Sequence, residues 1–221
     1  MCYELAVTVN RYVPLVVIMA PYCAVHTLSD GSQGLYNALV KISLMQQESI
    51  KVLFPLVGDI EWHARSLIIT DQRVLLTDVV TDKDISGVDA TVAGVLAGIG
   101  ATIAASLLGV FAGVGGMFGA RIAQSMRKSK IYDAAKQMKQ LFFEFSNPVP
   151  LSPNLKVKKS YLISELRKVR IYTPKGGDYT EIVIRKSTWS SIDAQVPLVN
   201  PQDIHNVLLK YLPSQLIETN Y

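Results

Sequence analysis

Cysteine and histidine are scarce in this chain, and charge is missing altogether from one long stretch of it. Of 221 residues only two are cysteine and three histidine. Cys2 and Cys23 both fall in the N-terminal segment, with neither metal-ligand nor redox spacing, and two thiols are too few for a disulfide framework; they are read as reduced. His26, His63 and His205 stand alone, with no Cys/His/Asp cluster at metal spacing, so each is expected to be structural or solvated. Gly113-Val114-Gly115-Gly116 follows no strand and precedes no Lys-Ser/Thr pair, which argues against a phosphate-binding loop. The Ser and Asp residues offer no ordered nucleophile and base. No enzymatic activity, metal or cofactor is expected.

Hydrophobic residues make up 49% of the chain and the mean hydropathy is +0.26, high for a wholly soluble protein. The net charge of +4 hides an asymmetry. Residues 1–120 carry 6 Lys and Arg against 10 Asp and Glu, whereas residues 121–221 carry 16 against 8. In the N-terminal arm, residues 1–47, Tyr12 to Leu28 is uncharged but interrupted by Pro14 and Pro21. Two readings stand there, a short membrane anchor and an irregular arm packed on the domain; no small-residue cleavage site points to a signal peptide. Leu35, Leu39, Ile42 and Met45 form a helical pattern after the Asp30-Gly31-Ser32 turn.

The uncharged stretch runs for 31 residues, Ala90 to Ala120. Inside it Ala93, Ala97, Ala101, Ala105, Gly109 and Gly113 repeat at a spacing of four, so on a helix they form one column of tiny side chains. Ala90, Gly94, Gly98, Thr102 and Ser106 form a second small column beside it. Bulk lies elsewhere, at Val92, Val95, Leu96, Ile99, Ile103, Leu107 and Phe111. A bare face of this kind lets another helix approach to close backbone distance, as in lipid. Two readings follow: a central helix buried in a soluble core, or a membrane-inserted or oligomer-forming element. The stretch exceeds the roughly 20 residues of one bilayer crossing and falls short of two.

Around this stretch the period is that of strands. Ile50, Val52 and Phe54, then Leu67 to Asp78 with a tight turn at Asp71-Gln72, read as strands, and strand character is expected to resume only after residue 154. Val157, Tyr161-Leu162-Ile163, Val169 to Tyr172, Tyr179 to Ile184 and Trp189 to Val196 follow, with a turn at Pro174 to Asp178. Asn200 as N-cap and Pro201 at the first helical position begin a closing helix with the stripe Ile204, Val207, Leu208 and Tyr211.

Leu67-Ile68-Ile69-Thr70-Asp71-Gln72-Arg73-Val74-Leu75-Leu76 resembles the hairpin of bacterial PH-like domains, which are related in shape to GRAM domains. Ile163 to Ile171 resembles that family's next strand, and Asn200-Pro201-Gln202-Asp203-Ile204 its closing helix. The resemblance covers residues 48–80 and 155–212, in the family's order. It implies an α+β fold, a bent antiparallel sheet plugged by one C-terminal helix, used as a membrane-proximal or protein-binding adaptor. The expected organisation is a PH-like domain split between 48–82 and 155–213, with an insertion over 83–154 where the family has a short loop.

Because the strands on both sides of the insertion belong to one sheet, its ends must emerge on the same side of any membrane, which excludes a single span. An inserted αα-hairpin satisfies this: Val88 to Ala112 outward, Gly113 to Gly116 as the tip, Met117 to Phe145 as the return. Phe111, Met117 and Phe118 would make that tip apolar, where exposed turns are ordinarily polar. The return arm carries Arg121, Arg127, Lys128, Lys130, Lys136 and Lys139 beside an apolar stripe, a pattern suited to anionic lipid headgroups and equally met in solvated faces. A second basic cluster, Lys156, Lys158, Lys159, Arg167, Lys168 and Arg170, has no nucleic-acid reader motif with it, so a headgroup or an acidic partner is preferred over nucleic acid.

The expectation is therefore a non-enzymatic adaptor or assembly protein at the cytoplasmic face of a membrane, binding its anionic surface or copies of itself. The alternatives are a soluble structural subunit that packs the small-residue face against partner helices, and a pore-forming oligomer.

Overall fold

In the computed structural model of the chain, the residues described are 48–85, 87–107 and 117–220. The expected N-terminal arm, the small-column positions Gly109 and Gly113, and Phe111 lie outside them. The described chain is α+β, a nine-stranded mixed sheet with three α-helices.

β1 (Ser49–Gly58), β2 (Ala64–Thr70) and β3 (Arg73–Thr77) form an antiparallel meander. Their sequences are near-continuous apolar runs because both faces of this part of the sheet are covered, and alternate side chains enter opposite cores. Val52, Phe54, Leu67, Ile69 and Val74 face one core, and Ile50, Leu53, Ile68 and Leu75 the other. Thr70 closes the β2–β3 turn, its hydroxyl oxygen accepting from the Gln72 and Arg73 amides at 3.1 and 2.8 Å. The fully buried Glu48 carboxylate is satisfied by the Thr70 hydroxyl and by the Arg73 Nε at 3.0 Å, and this pairing raises the Arg73 pKa.

After β3 come α1 (Ala90–Leu107) and α2 (Met117–Gln137). The return arm is shorter than expected. The helix ends at Gln137, and Phe143–Pro150 is a strand, β4, that pairs antiparallel with the first half of β1. Strand therefore resumes well before residue 154, inside the stretch expected to be wholly inserted. Phe143 and Val149 lie opposite Leu53 and Ile50 and are buried with them, which outweighs helix continuation. Pro148 and Pro150 are tolerated because β4 is paired on one side only.

β5 (Val157–Leu162) pairs with β3, and β6 (Lys168–Tyr172), β7 (Tyr179–Ser187) and β8 (Ser190–Pro197) form a second antiparallel meander. It joins the first where Gln195 of β8 lies opposite Gly58 of β1, and a final strand, β9 (Ile217–Asn220), runs parallel to β6. The sheet curls over on itself. β5 stands at one end of the strand order and β8 near its middle, yet the Tyr161 hydroxyl meets the Ser190 hydroxyl at 2.7 Å. α3 (Pro201–Tyr211) fills the curl, with Ile204, Val207 and Leu208 sharing one core with Tyr161, Val169, Ile171 and Ile192. The cap is the one the sequence indicates: the Asn200 side chain accepts from the Gln202 amide at 2.9 Å.

Candidate functional site

The Asp89 side chain starts α1 by accepting from the Val92 amide at 2.9 Å. From there the bulky residues face the sheet. Val92 and Leu96 join the core beneath β1–β3, and Ile99 packs with Leu56, Trp62 and Ile131. The small column points elsewhere: Ala93 is half-buried, and Ala97 and Ala101 are exposed. Ala105 lies within α1, its side chain outside the described set. A methyl group added at Gly94 or Gly98 would meet nothing within 4 Å, whereas one at Gly100 would press to 3.2 Å from Thr81 Cγ2. Among the described glycines of α1, the close approach is thus made at Gly100, off the small column.

α2 divides near its middle. Ile131, Tyr132, Ala134 and Ala135 are buried over the sheet, while Ile122 and Met126 are 50% and 44% exposed. Arg121 and Lys139 are exposed, Arg127 and Lys130 half-buried, and Lys136 lies 4.0 Å from Asp133. Met117 and Phe118 begin the helix, their side chains outside the described set. Among the described residues no helix is long and apolar enough to cross a membrane; at 18 residues α1 spans about 27 Å by helical rise.

Lys128, expected to face headgroups with the other bases, turns toward the sheet. Its Nζ lies 5.1, 5.3 and 5.1 Å from the ring centroids of Trp62, Tyr132 and Tyr179, and 3.3 Å from the Asp178 carboxylate. Each wall is fixed locally. Asp59 organises the β1–β2 loop, its side chain accepting from the Glu61 and His63 amides at 2.9 Å each and its carbonyl from the Trp62 amide at 2.8 Å. This leaves Trp62 in the left-handed region at φ 59°, where a non-glycine residue is strained. Its ring lies against Gly58, where a Cβ would come within 2.7 Å of it. Tyr179 meets the Trp62 ring edge to face at 5.1 Å, and Tyr132 tilts against it at 5.7 Å. The Tyr132 hydroxyl donates to Asp178 at 2.6 Å. Burial and that bond push the Tyr132 pKa up, and the same bond, with Lys128 assisting, holds the Asp178 carboxyl below its ordinary range. Sequence reading misses this cluster because its rings come from three distant parts of the chain and form no local motif.

The second basic cluster is partly occupied by carboxylates. Lys158 pairs with Asp78 at 3.2 Å, Lys168 and Arg170 share Glu218 of β9, and the Lys159 ammonium donates to the Ser191 carbonyl at 2.7 Å. Beside it a groove of about 400 Å³ is lined by Arg170, Tyr172, Lys175, Arg185 and Glu218. The Tyr172 phenol there is pushed up to about 12, chiefly by burial and then by its bond to Glu181. His63 pairs with Asp59 at 3.1 Å, and among the described residues no group of His, Cys, Asp and Glu is arranged to hold a metal.

No protein-family model, curated protein or solved structure matches the chain.

Proposed function

We propose that this is a non-enzymatic adaptor that associates with the anionic surface of a membrane, at its cytoplasmic face. In this reading the curled sheet is a PH-like body, and α1 and α2 are the two arms of an inserted hairpin. The observation that carries it is the division of α2: the half that leaves the sheet exposes Ile122 and Met126 beside Arg121, while β3 before the helices and β4 after them tie both ends of the segment to one sheet. Exposed apolar residues next to bases are the combination that interfacial binding needs, part insertion and part attraction to anionic headgroups. Support for the PH-like body comes from a sheet closed by a single C-terminal helix. The test is co-sedimentation of the full chain with vesicles containing phosphatidylserine. Changing Arg121, Arg127 and Lys139 together to Glu should weaken binding by about 1 kcal/mol or more per base near the surface, and added salt should weaken the parent in parallel. Binding indifferent to both would remove the anionic membrane from this reading.

Self-association is the second reading, and one observation favours it. Ala97 and Ala101 are exposed, so among the described residues this part of the small face of α1 is left open. Replacing Ala101 with Leu should dissociate an oligomer seen by sedimentation velocity; an unchanged oligomer would place the contact elsewhere.

A further inference from the structure

Three aromatic rings and a carboxylate around one ammonium make a recognisable receptor, and here the receptor is filled by a side chain of the same molecule. Cations are held over aromatic faces within about 6 Å of the centroid, and quaternary ammonium groups are the ligands such cages suit best. Lys128 Nζ meets that distance to Trp62, Tyr132 and Tyr179 at once. It is nonetheless an imperfect occupant. A primary ammonium carries three N–H donors, and among the described residues Asp178 alone faces it as an ion-pair partner.

Beneath the cage lies a second, independent sign of an acceptor-rich site. Gln195 is opposite Gly58 on one side and Glu181 on the other, so its side chain shares the face on which Trp62 and Tyr179 lie. It is 6% exposed, and its Oε1 has no hydrogen-bond partner among the described residues. A buried carbonyl oxygen left without a donor is costly and calls for a reason. Next to it the Glu181 carboxyl is half-buried, bonded to the Tyr172 hydroxyl and raised in pKa by burial. Gln195 and Glu181 therefore share the sheet face that carries Trp62 and Tyr179, and Asp178 is the carboxylate at the cage itself.

We propose that the Trp62–Tyr132–Tyr179 cage is a binding site for quaternary ammonium groups of the choline type, and that Lys128 is its intramolecular stand-in. A trimethylammonium group has no N–H to satisfy and covers three ring faces with methyl groups while keeping the charge that Asp178 attracts. When it enters, Lys128 swings out, and α2 loses its clasp at the point where the helix leaves the sheet. The proposal does not rest on the anionic-membrane reading, since it concerns a cation recognised by rings.

The experiment is a fluorescence titration of the full chain with tetramethylammonium chloride at constant ionic strength, in a Trp189→Phe background that leaves Trp62 as the sole tryptophan. Saturable change in Trp62 emission is expected, absent with sodium or ammonium chloride. Lys128→Ala should tighten the midpoint about tenfold, the worth of one partly desolvated cation–π contact. Tyr132→Leu and Tyr179→Leu, each checked for an intact sheet by circular dichroism, should abolish saturation. A Lys128→Ala chain that keeps its sheet and gives no saturable response, or one with an unchanged midpoint, would overturn the proposal. Pure phosphatidylcholine vesicles then identify the source. Retention of the Lys128→Ala chain by those vesicles assigns a lipid headgroup, and saturation by free choline without retention assigns a soluble ligand.

Discussion

From Ile131 to Ala135, α2 buries Ile131, Tyr132, Ala134 and Ala135 over the sheet; from Arg121 to Met126 the same helix leaves Ile122 and Met126 in contact with water. α1 is divided around its circumference instead, with Val92, Leu96 and Ile99 buried and Ala97 and Ala101 exposed. In α1 the residues that reach the sheet are large and those left over are small; in α2 the half away from the sheet leaves large apolar side chains exposed. The fold thus consumes one face of α1 and one half of α2. What α2 leaves over is apolar surface beside bases, the combination on which the proposed membrane contact rests. Lys128 stands at the border, docked by its ammonium rather than by a hydrophobic side chain.

The strongest way to break this comparison is to alter opposite faces of α1. Leu96 is fully buried, and Leu96→Ala should cost about 2–5 kcal/mol in urea unfolding. Ala97→Ser, one residue on and exposed, should stay within about 0.5 kcal/mol. Similar losses from the two would mean that the small face is core after all. A smaller effect is expected at Gly58→Ala, where the new methyl group meets the Trp62 ring. Its cost should be about 1–3 kcal/mol, accompanied by a shift in Trp62 emission as the ring is displaced from Lys128.

The dependence on pH sharpens the same border. Asp178 has a lowered pKa in the folded chain, so its contribution is complete above the ordinary aspartate value of about 4 and is lost as the pH falls through the lower native value. Tyr132 has a raised pKa, so its contribution is complete below the ordinary tyrosine value of about 10 and declines as the pH climbs beyond it. Thermal melting across pH should therefore show a plateau between those limits. Asp178→Asn should flatten the acid limb and Tyr132→Phe the alkaline one; unchanged limbs in both variants would mean that the Tyr132–Asp178 bond contributes nothing to stability.

Legibility in the sequence followed how local each signal was. The β2–β3 hairpin and the start of α3 could be read because Asp71-Gln72 and Asn200-Pro201 act through neighbouring backbone groups. β4 could not. Phe142 and Phe145 fall three apart and imitate a helical stripe, the prolines at 148 and 150 resemble loop, and only pairing with β1 makes the segment a strand. The column of alanine and glycine was conspicuous as sequence, yet which way it faces was decided by the bulk on the other side of the helix. Composition marked the bases of α2 as a group, but only tertiary geometry separates Lys128 from the rest. Trp62 is held by an Asp59-centred loop with left-handed backbone, for which its immediate neighbours give no signal.

In the proposed membrane contact the free half of α2 meets the bilayer while the docked half does not. An environment-sensitive fluorophore attached to cysteine tests it directly, placed at position 122 or at position 136 in chains whose Cys2 and Cys23 have been changed to Ser. On adding phosphatidylserine-containing vesicles, the label at 122 should shift to the blue and brighten, and the label at 136 should not respond. Equal responses at the two positions, or none at 122, would contradict it.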